Sequence, residues 1–174
     1  DGAGIDLPPN RLGTGETMRI AYFDCFSGAS GDMILAACLN AGLDLGILRE
    51  QLALLGVEGY QIESAAVRKQ GFAANQFEVI CDPDTAKPHR HLKHISEILD
   101  RSTLPERIRR RAAAIFTRLA EAEAAVHGTT IEKVHFHEVG AIDAIVDIVG
   151  ACVAMDLLKI ERIVVSPIPP GSGS

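Results

Sequence analysis

Residues 134–150 read VHFHEVGAIDAIVDIVG, a stretch that sets two histidines and three carboxylates in an otherwise apolar run. The apolar run continues beyond it and predicts a buried helix, in which the charged groups after Val139 are Asp143, Asp147 and Asp156. A buried carboxylate costs free energy unless it is hydrogen-bonded, paired with a cation or bound to a metal. Asp143 and Asp147 are four residues apart, so they share one face of the helix.

Two pairs of histidines have the spacing His-x-His. His135 and His137 lie inside the apolar stretch, and His89 and His91 form the second pair. Two residues apart in an extended segment, the members of a pair point to the same side. Beside buried aspartates, two such pairs favour metal or metal–phosphate chemistry. The alternative is structural: the aspartates cap the helix or bond to nearby backbone, and the histidines lie at the surface.

A strand, a loop of small residues and a helix follow one another near the start of the chain. Residues 19–24 read RIAYFD and predict a strand that ends at Asp24, and residues 25–32 read CFSGASGD. Backbone N–H groups and the helix dipole at such a junction attract an anion. The loop lacks the spacing of the common dinucleotide and P-loop motifs, so an ordinary loop capped by Ser30 or Asp32 is the alternative.

The remaining pattern predicts an α/β domain with a mixed sheet that contains an antiparallel hairpin and is covered by helices. We expect the first strand to lie inside the sheet and the hairpin to turn at Gln70 and Gly71. A helix from residue 105 should begin with a capping box formed by Thr103 and Glu106. Its expected apolar stripe is Ile108, Ala112, Ile115, Leu119, Ala122 and Val126.

Composition excludes several classes of protein. Hydrophobic residues make up 47% of the 174 residues and charged residues 23%, as in soluble globular domains. The net charge of −6 argues against nucleic-acid binding, and no uncharged apolar run reaches the roughly 18–20 residues that span a bilayer. The four cysteines are scattered without a C-x-x-C pair, and we expect reduced thiols and a cytoplasmic location. Residues 1–17 are expected to be a leader or tag-like extension.

Five separated stretches resemble one known family in the same order. The chain resembles the N-terminal part of the nickel insertion proteins that mature the nickel-pincer cofactor of lactate racemase. The resemblance covers residues 18–174 and is most specific in the first and fourth stretches. The matching stretches are residues 22–33 (YFDCFSGASGDM), 89–92 (HRHL), 126–128 (VHG), 134–143 (VHFHEVGAID) and 167–173 (PIPPGSG).

The resemblance implies a lyase-type enzyme that inserts nickel into pyridinium-3,5-bisthiocarboxylic acid mononucleotide with CTP. The product carries a nickel–carbon bond and nickel–sulfur bonds, and its acceptor is the lactate racemase apoprotein. The resemblance also implies that residues 18–174 are the N-terminal domain of a larger protein, whose C-terminal part binds CTP with Mg or Mn. A homo-oligomer is compatible with this reading, whereas nucleic-acid and membrane partners are not expected.

Individual roles rest on the chemistry of the residues themselves. Imidazoles suit nickel, whereas carboxylates suit magnesium or manganese. A carboxylate can also orient an imidazole by accepting a hydrogen bond from the ring nitrogen that does not bind the metal. We expect these groups to converge on one cleft. A metal-dependent phosphohydrolase and a non-catalytic metal-binding or assembly module remain as alternatives. The expected metal ligands are His89, His91, His135, His137 and Asp143; the expected catalytic carboxylates are Asp24, Asp32 and Glu138; and the expected phosphate-binding residues are Ser27, Gly28, Ser30 and Gly31.

Overall fold

The computed structural model describes residues 18–82, 90–136 and 139–169. The predicted α/β class with an antiparallel hairpin is confirmed. A short 3₁₀ helix at Ile131–Lys133 follows the longest helix. The described elements are β1 (Ile20–Phe23), α1 (Gly31–Asn40), α2 (Leu45–Ala53), β2 (Tyr60–Lys69), β3 (Phe72–Cys81), α3 (Leu92–Arg101), α4 (Glu106–His127), α5 (Ile142–Leu157) and β4 (Arg162–Val165).

Helix α5 is the centre of the core, as its apolar sequence predicts. It packs against α1, α2, α4 and β3. Ile145, Val149 and Val153 are completely buried, and each such side chain contributes about 1.5–3 kcal/mol of transfer free energy. Gly150 lets α1 approach closely, because a Cβ there would lie 3.2 Å from the Leu35 Cδ1 atom. The helix that carries the aspartates is therefore the best-anchored element of the domain.

The hairpin of β2 and β3 turns at Gln70 and Gly71, as the sequence predicts. Its ladder pairs Tyr60 with Cys81 at one end and Lys69 with Phe72 at the other. Gln70 and Gly71 have φ of 50° and 87°, as a two-residue turn that matches the twist of the strands requires. Only the half of the hairpin near Tyr60 reaches the core, since Phe72 at the far end is 78% exposed. This arrangement brings the end of β3 towards α5.

The parallel strands lie in a sheet of their own. Strand β1 pairs with β4, from Ile20 opposite Arg162 to Phe23 opposite Val165. In the described ranges this sheet has two strands and the hairpin forms a second sheet. Within the described ranges β1 lies at an edge and not inside the sheet as expected, because it has one neighbouring strand there and its Tyr22 side chain is 64% exposed.

Helix α4 is present as predicted, but its start and its buried face differ from the prediction. Thr103 does not form a capping box; its backbone N–H donates to the Leu54 carbonyl oxygen instead. After Ala112 the next buried residue of α4 is Phe116 and not Ile115. The buried residues are spaced four apart because this face packs on α5. The helix ends at Gly128, whose φ of 60° is the left-handed conformation that such ends favour.

Within the described ranges, no helix is both long and apolar enough to cross a membrane. The expectation of a leader at residues 1–17 concerns a segment outside those ranges.

Candidate metal-handling site

Two distant segments meet through a single antiparallel bridge. The Phe136 N–H donates to the Arg90 carbonyl oxygen at 3.1 Å, and the two residues form an isolated β-bridge. In an antiparallel pair, the residue after one member lies opposite the residue before the other. His91 therefore lies beside His135, and the centroids of the two imidazole rings are 4.0 Å apart. The structure brings one histidine of each predicted pair together.

The His91 ring is held in one tautomer. Its Nδ1 atom lies 2.9 Å from the Val134 carbonyl oxygen. A carbonyl can only accept, so Nδ1 carries the proton and Nε2 presents its lone pair. Histidine ligands of metals commonly have this hydrogen bond on the nitrogen that faces away from the metal. In this tautomer the Nε2 atom of His91 has the lone pair that a metal ligand needs.

His94 takes part in the start of α3. Its Nδ1 atom accepts the His91 backbone N–H at 3.2 Å, and its ring lies 5.6 Å from the His91 ring. This contact satisfies one of the free N–H groups at the beginning of the helix. It also fixes the backbone of His91, so His94 supports its neighbour. We call His91, His94 and His135 the histidine cluster.

Gly140 and Arg90 clamp the bridge to the start of α5. The Arg90 guanidinium donates to the Gly140 carbonyl oxygen at 2.6 Å. A Cβ on Gly140 would lie 2.8 Å from the Phe136 oxygen and 3.0 Å from the Arg90 nitrogen, both backbone atoms that cannot move aside. The close approach of three backbone segments thus explains the glycine in the sequence VHFHEVG. The histidine cluster is tied to the helix that carries the aspartates.

A second group of side chains gathers where α1 begins. Asp147 of α5 packs against Gly31, so closely that a Cβ on Gly31 would lie 2.5 Å from the Asp147 Cβ. Its carboxylate accepts a hydrogen bond from the Asp32 backbone N–H. Its Oδ1 atom is buried, with no hydrogen-bond partner in the described part of the chain. Asp143 lies one turn earlier on the same helix. We call Asp32, Asp143 and Asp147 the carboxylate cluster.

The carboxylate cluster concentrates negative charge. Burial, and then the charges of Asp32 and Asp143, raise the pKa of Asp147 to about 6, and the hydrogen bond from the Asp32 backbone opposes the rise. At neutral pH Asp147 is therefore mostly ionised despite its surroundings. The helix dipole at the N-terminus of α1 favours this negative charge. A cation at this position would relieve the repulsion among the three groups.

Cys81 joins the hairpin to this region. The thiol is half-buried at the end of β3. Burial raises its pKa most, the negative charge of Asp143 raises it further, and a hydrogen bond from the Asp143 backbone lowers it. A sulfur atom, which is a soft metal ligand, therefore lies beside the carboxylate cluster.

The loop before α1 uses its polar groups internally. The Gly28 N–H donates to the Cys25 carbonyl oxygen at 3.0 Å, and the Ser30 hydroxyl donates to the Asp32 carboxylate. The Asp147 carboxylate occupies the helix end beside Gly31. Phosphate binding by residues 27–31 stays a prediction, and the nearby negative charge would oppose a phosphate that arrived without a cation.

The other predicted site residues fall into two groups. Asp24 is exposed at the end of β1, and Asp143 is exposed, with its Oδ1 atom accepting the Ala144 N–H at 2.9 Å. His89, His137 and Glu138 lie outside the described residues. In the ranges that the structure describes, no group of three or more histidine, cysteine, aspartate or glutamate side chains is arranged to hold a metal. The described histidines supply a pair of nitrogen donors and not a complete metal site.

The sequence predicted a buried Asp147 on the same helix face as Asp143 but not its place among the named ligands, and it gave no site role to Cys81 or Arg90. The signal for Asp147 was present, since it follows Asp143 by one helical turn in an apolar helix. Its contact with Gly31 could not be read from spacing. Cys81 and Arg90 reach the region through the hairpin and the bridge, which no local pattern connects to α5.

The chain matches the family model described as nickel insertion protein over residues 21–174. It is 49% identical over 156 residues to a putative nickel insertion protein from Geobacter sp. strain M21, which covers 90% of this chain and 40% of the relative. It is also 49% identical to the pyridinium-3,5-bisthiocarboxylic acid mononucleotide nickel insertion protein of Desulfitobacterium hafniense strain DCB-2, over 90% of the chain and 38% of the relative. A relative of the same name from Acetivibrio thermocellus is 47% identical over 163 residues.

No solved structure matches the chain significantly. The chain spans about 40% of the length of the curated relatives it matches. The family model covers most of the chain, including all of β1 except Ile20, the histidine and carboxylate clusters and β4. The chain therefore belongs to the nickel insertion protein family.

Proposed function

We propose that this chain is the nickel-handling N-terminal part of an enzyme that inserts nickel into pyridinium-3,5-bisthiocarboxylic acid mononucleotide. The names of the Desulfitobacterium and Acetivibrio relatives support this substrate. The proposal includes the lyase class, the use of CTP with Mg or Mn by the C-terminal part, a cytoplasmic location and delivery of the finished cofactor to the lactate racemase apoprotein. Nickel is the cargo of this reaction.

The observation that carries the proposal is the 4.0 Å approach of the His91 and His135 rings. Imidazole nitrogens are good ligands for nickel, and the hydrogen bond to Val134 leaves the Nε2 atom of His91 available. His89 and His137 are the other members of the two His-x-His pairs to which His91 and His135 belong. We propose that these two histidines join His91 and His135 in holding nickel.

An incomplete ligand set suits transfer better than a closed one. Structural metal sites fill every coordination position with protein groups, whereas sites that do chemistry keep positions open. The described residues offer two imidazoles and no larger group. Open positions on the ion would let the sulfur atoms of the substrate bind nickel before the histidines release it.

The carboxylates are proposed to act beside the histidines. Asp24, Asp32, Glu138 and Asp143 would hold a divalent ion or orient the imidazoles, as hard oxygen ligands do. The Ser27, Gly28, Ser30 and Gly31 loop would bind the substrate phosphate only with such a cation between them, because Asp147 places negative charge at the same helix end.

Calorimetric titration of the chain with Ni²⁺ tests the proposal. If His91 and His135 bind one ion, His91→Ala, His135→Ala and the double variant should each weaken nickel binding to a similar extent, because members of one site act non-additively. His127→Ala is the matched control, since this histidine is paired with Glu123 at the end of α4. Independent, additive losses would mean two separate weak sites, and unchanged binding in the double variant would rule out the histidine cluster.

A non-catalytic metal-holding module is the second candidate. It is favoured by the two-donor site and by the fraction of the relatives that the chain spans. Incubating the nickel-loaded chain with the mononucleotide distinguishes nickel insertion from non-catalytic metal holding. Nickel transfer that needs CTP and the remaining part of the protein supports the first proposal, whereas nickel that stays bound in the full-length protein supports the second.

A further inference from the structure

An apolar groove runs between the parallel sheet and helices α4 and α5. It has a volume of about 290 Å³. Phe23, Ile163 and Val165 line it on the strand side, and Ile115 and Met155 on the helix side. Its accessible lining is apolar throughout, so Arg111 contributes the methylene part of its side chain.

The groove remains open to solvent where large aliphatic side chains meet. Ile163 and Val165 are each 47% exposed and Ile115 is 38% exposed. Scattered single exposed residues need no explanation, but a contiguous apolar set around a groove marks a surface that another group covers. The position of Ile115 fits this interpretation. On α4 the Phe116 side chain is buried in the core, whereas the Ile115 side chain lines the groove.

The adjoining sheet is also incomplete by the usual rules for parallel strands. Parallel strands occur almost only in larger sheets with both faces covered. Here β1 and β4 pair only with each other in the described ranges. The outer edge of each strand therefore presents backbone N–H and C=O groups that an added strand can pair with. The β1–β4 sheet therefore has both open strand edges and an apolar groove beside it.

We propose that a β-strand from the part of the full-length protein that this chain does not span extends the β1–β4 sheet and buries apolar side chains in the groove. The length of the relatives supports this occupant: they are matched over about 40% of their extent, so in them a much longer polypeptide shares the molecule with the corresponding surface. The proposal is independent of nickel binding. It rests on the sheet, the groove and family membership.

Hydrogen–deuterium exchange on this chain and on a full-length version of the protein tests the proposal. The outward-pointing amides of whichever strand receives the added strand, in residues 20–23 or in residues 162–165, should exchange at least about tenfold more slowly in the full-length protein. Equal exchange in the two proteins would overturn the proposal. So would slow exchange that appears in the short chain alone as its concentration rises, because a second copy would then be the occupant.

Matched variants of the full-length protein locate the contact. Ile115→Asp should remove the added protection, whereas Val126→Asp on the same helix should leave it, since Val126 is 81% exposed and lies outside the groove. Val165→Thr, which keeps the shape and the strand preference, should lower the protection even if Ile115→Asp does not fold. Full protection in Val165→Thr, or equal loss in Val126→Asp, would place the covering strand elsewhere.

Discussion

Asp147 is the residue on which the environment acts most strongly among the carboxylates of the site. Its pKa is raised to about 6 by burial, then by Asp32 and Asp143. In the unfolded chain its carboxyl group titrates near the ordinary value of 3.8. Between these two values the folded state keeps a proton that the unfolded state has lost. Stability from this group is therefore present at low pH and is lost as the pH rises through about 4 to 6.

Asp147→Asn should remove that pH dependence. Asparagine keeps the shape and still accepts the Asp32 N–H, but it carries no charge, so the variant should be more stable than the parent at pH 7.5 and similar to it at pH 4. Urea unfolding at pH 4, 5, 6 and 7.5 measures this. Asp100→Asn, at an exposed position on α3, is the control and should behave like the parent. If the unfolding free energies of Asp147→Asn and the parent changed with pH in the same way, the raised pKa of Asp147 would be contradicted.

Gly31 is needed because the Asp147 side chain leaves no room for another atom. A Cβ would lie 2.5 Å from the Asp147 Cβ and 2.8 Å from its Cγ, contacts closer than carbon atoms tolerate. We expect Gly31→Ala to cost about 1–3 kcal/mol of unfolding free energy through this overpacking. Gly150→Ala, at the same α1–α5 interface, is the control: its nearest contact is a Leu35 methyl at 3.2 Å, which can shift. Equal losses in the two variants would show that helix α1 can move away from Asp147.

At the scale of elements, the bridge between Arg90 and Phe136 holds the two histidine segments together. Gly140→Ala would force a Cβ against backbone atoms of both segments, at 2.8 Å and 3.0 Å. We therefore expect loss of stability of about 1–3 kcal/mol and weaker Ni²⁺ binding in the same variant. Thermal melts and nickel titration check the two effects. Nickel binding that is unchanged in a destabilised variant would show that the bridge does not position the histidines.

The elements themselves were mostly predictable, because local signals set their ends. Gln70 and Gly71 fix the hairpin turn, and the bounds of β2 and β3 follow from it. The face of α4 was not predictable: Ile115 and Phe116 are both apolar, and packing on α5 decides which is buried. The contact between His91 and His135 depends on one bridge between segments far apart in the sequence. Spacing within each histidine pair carries no information about that bridge.

At the scale of the molecule, α5 connects three features. Its N-terminal half carries Asp143 and Asp147 of the carboxylate cluster, its start is clamped to the histidine cluster through Gly140, and its C-terminal half lines the apolar groove through Met155. Because α5 is the most buried helix, the proposed metal site at one end and the proposed docking surface at the other share one well-packed element. The fold thus separates the site proposed to handle the ion from the surface proposed to join the rest of the protein.

The four thiols test the packing of the whole molecule. All four cysteines are unpaired, and Cys25, Cys38 and Cys152 are buried whereas Cys81 is half-buried. Burial raises the pKa of Cys152 to about 11, which leaves little of the reactive thiolate at pH 8. In the native chain iodoacetamide should therefore modify Cys81 first, because access separates it from the buried thiols. After unfolding in urea without a reducing agent, mass spectrometry should find four modified cysteines. A bridged pair, or a native Cys152 that reacts as fast as Cys81, would contradict the packing of α5 against the sheet.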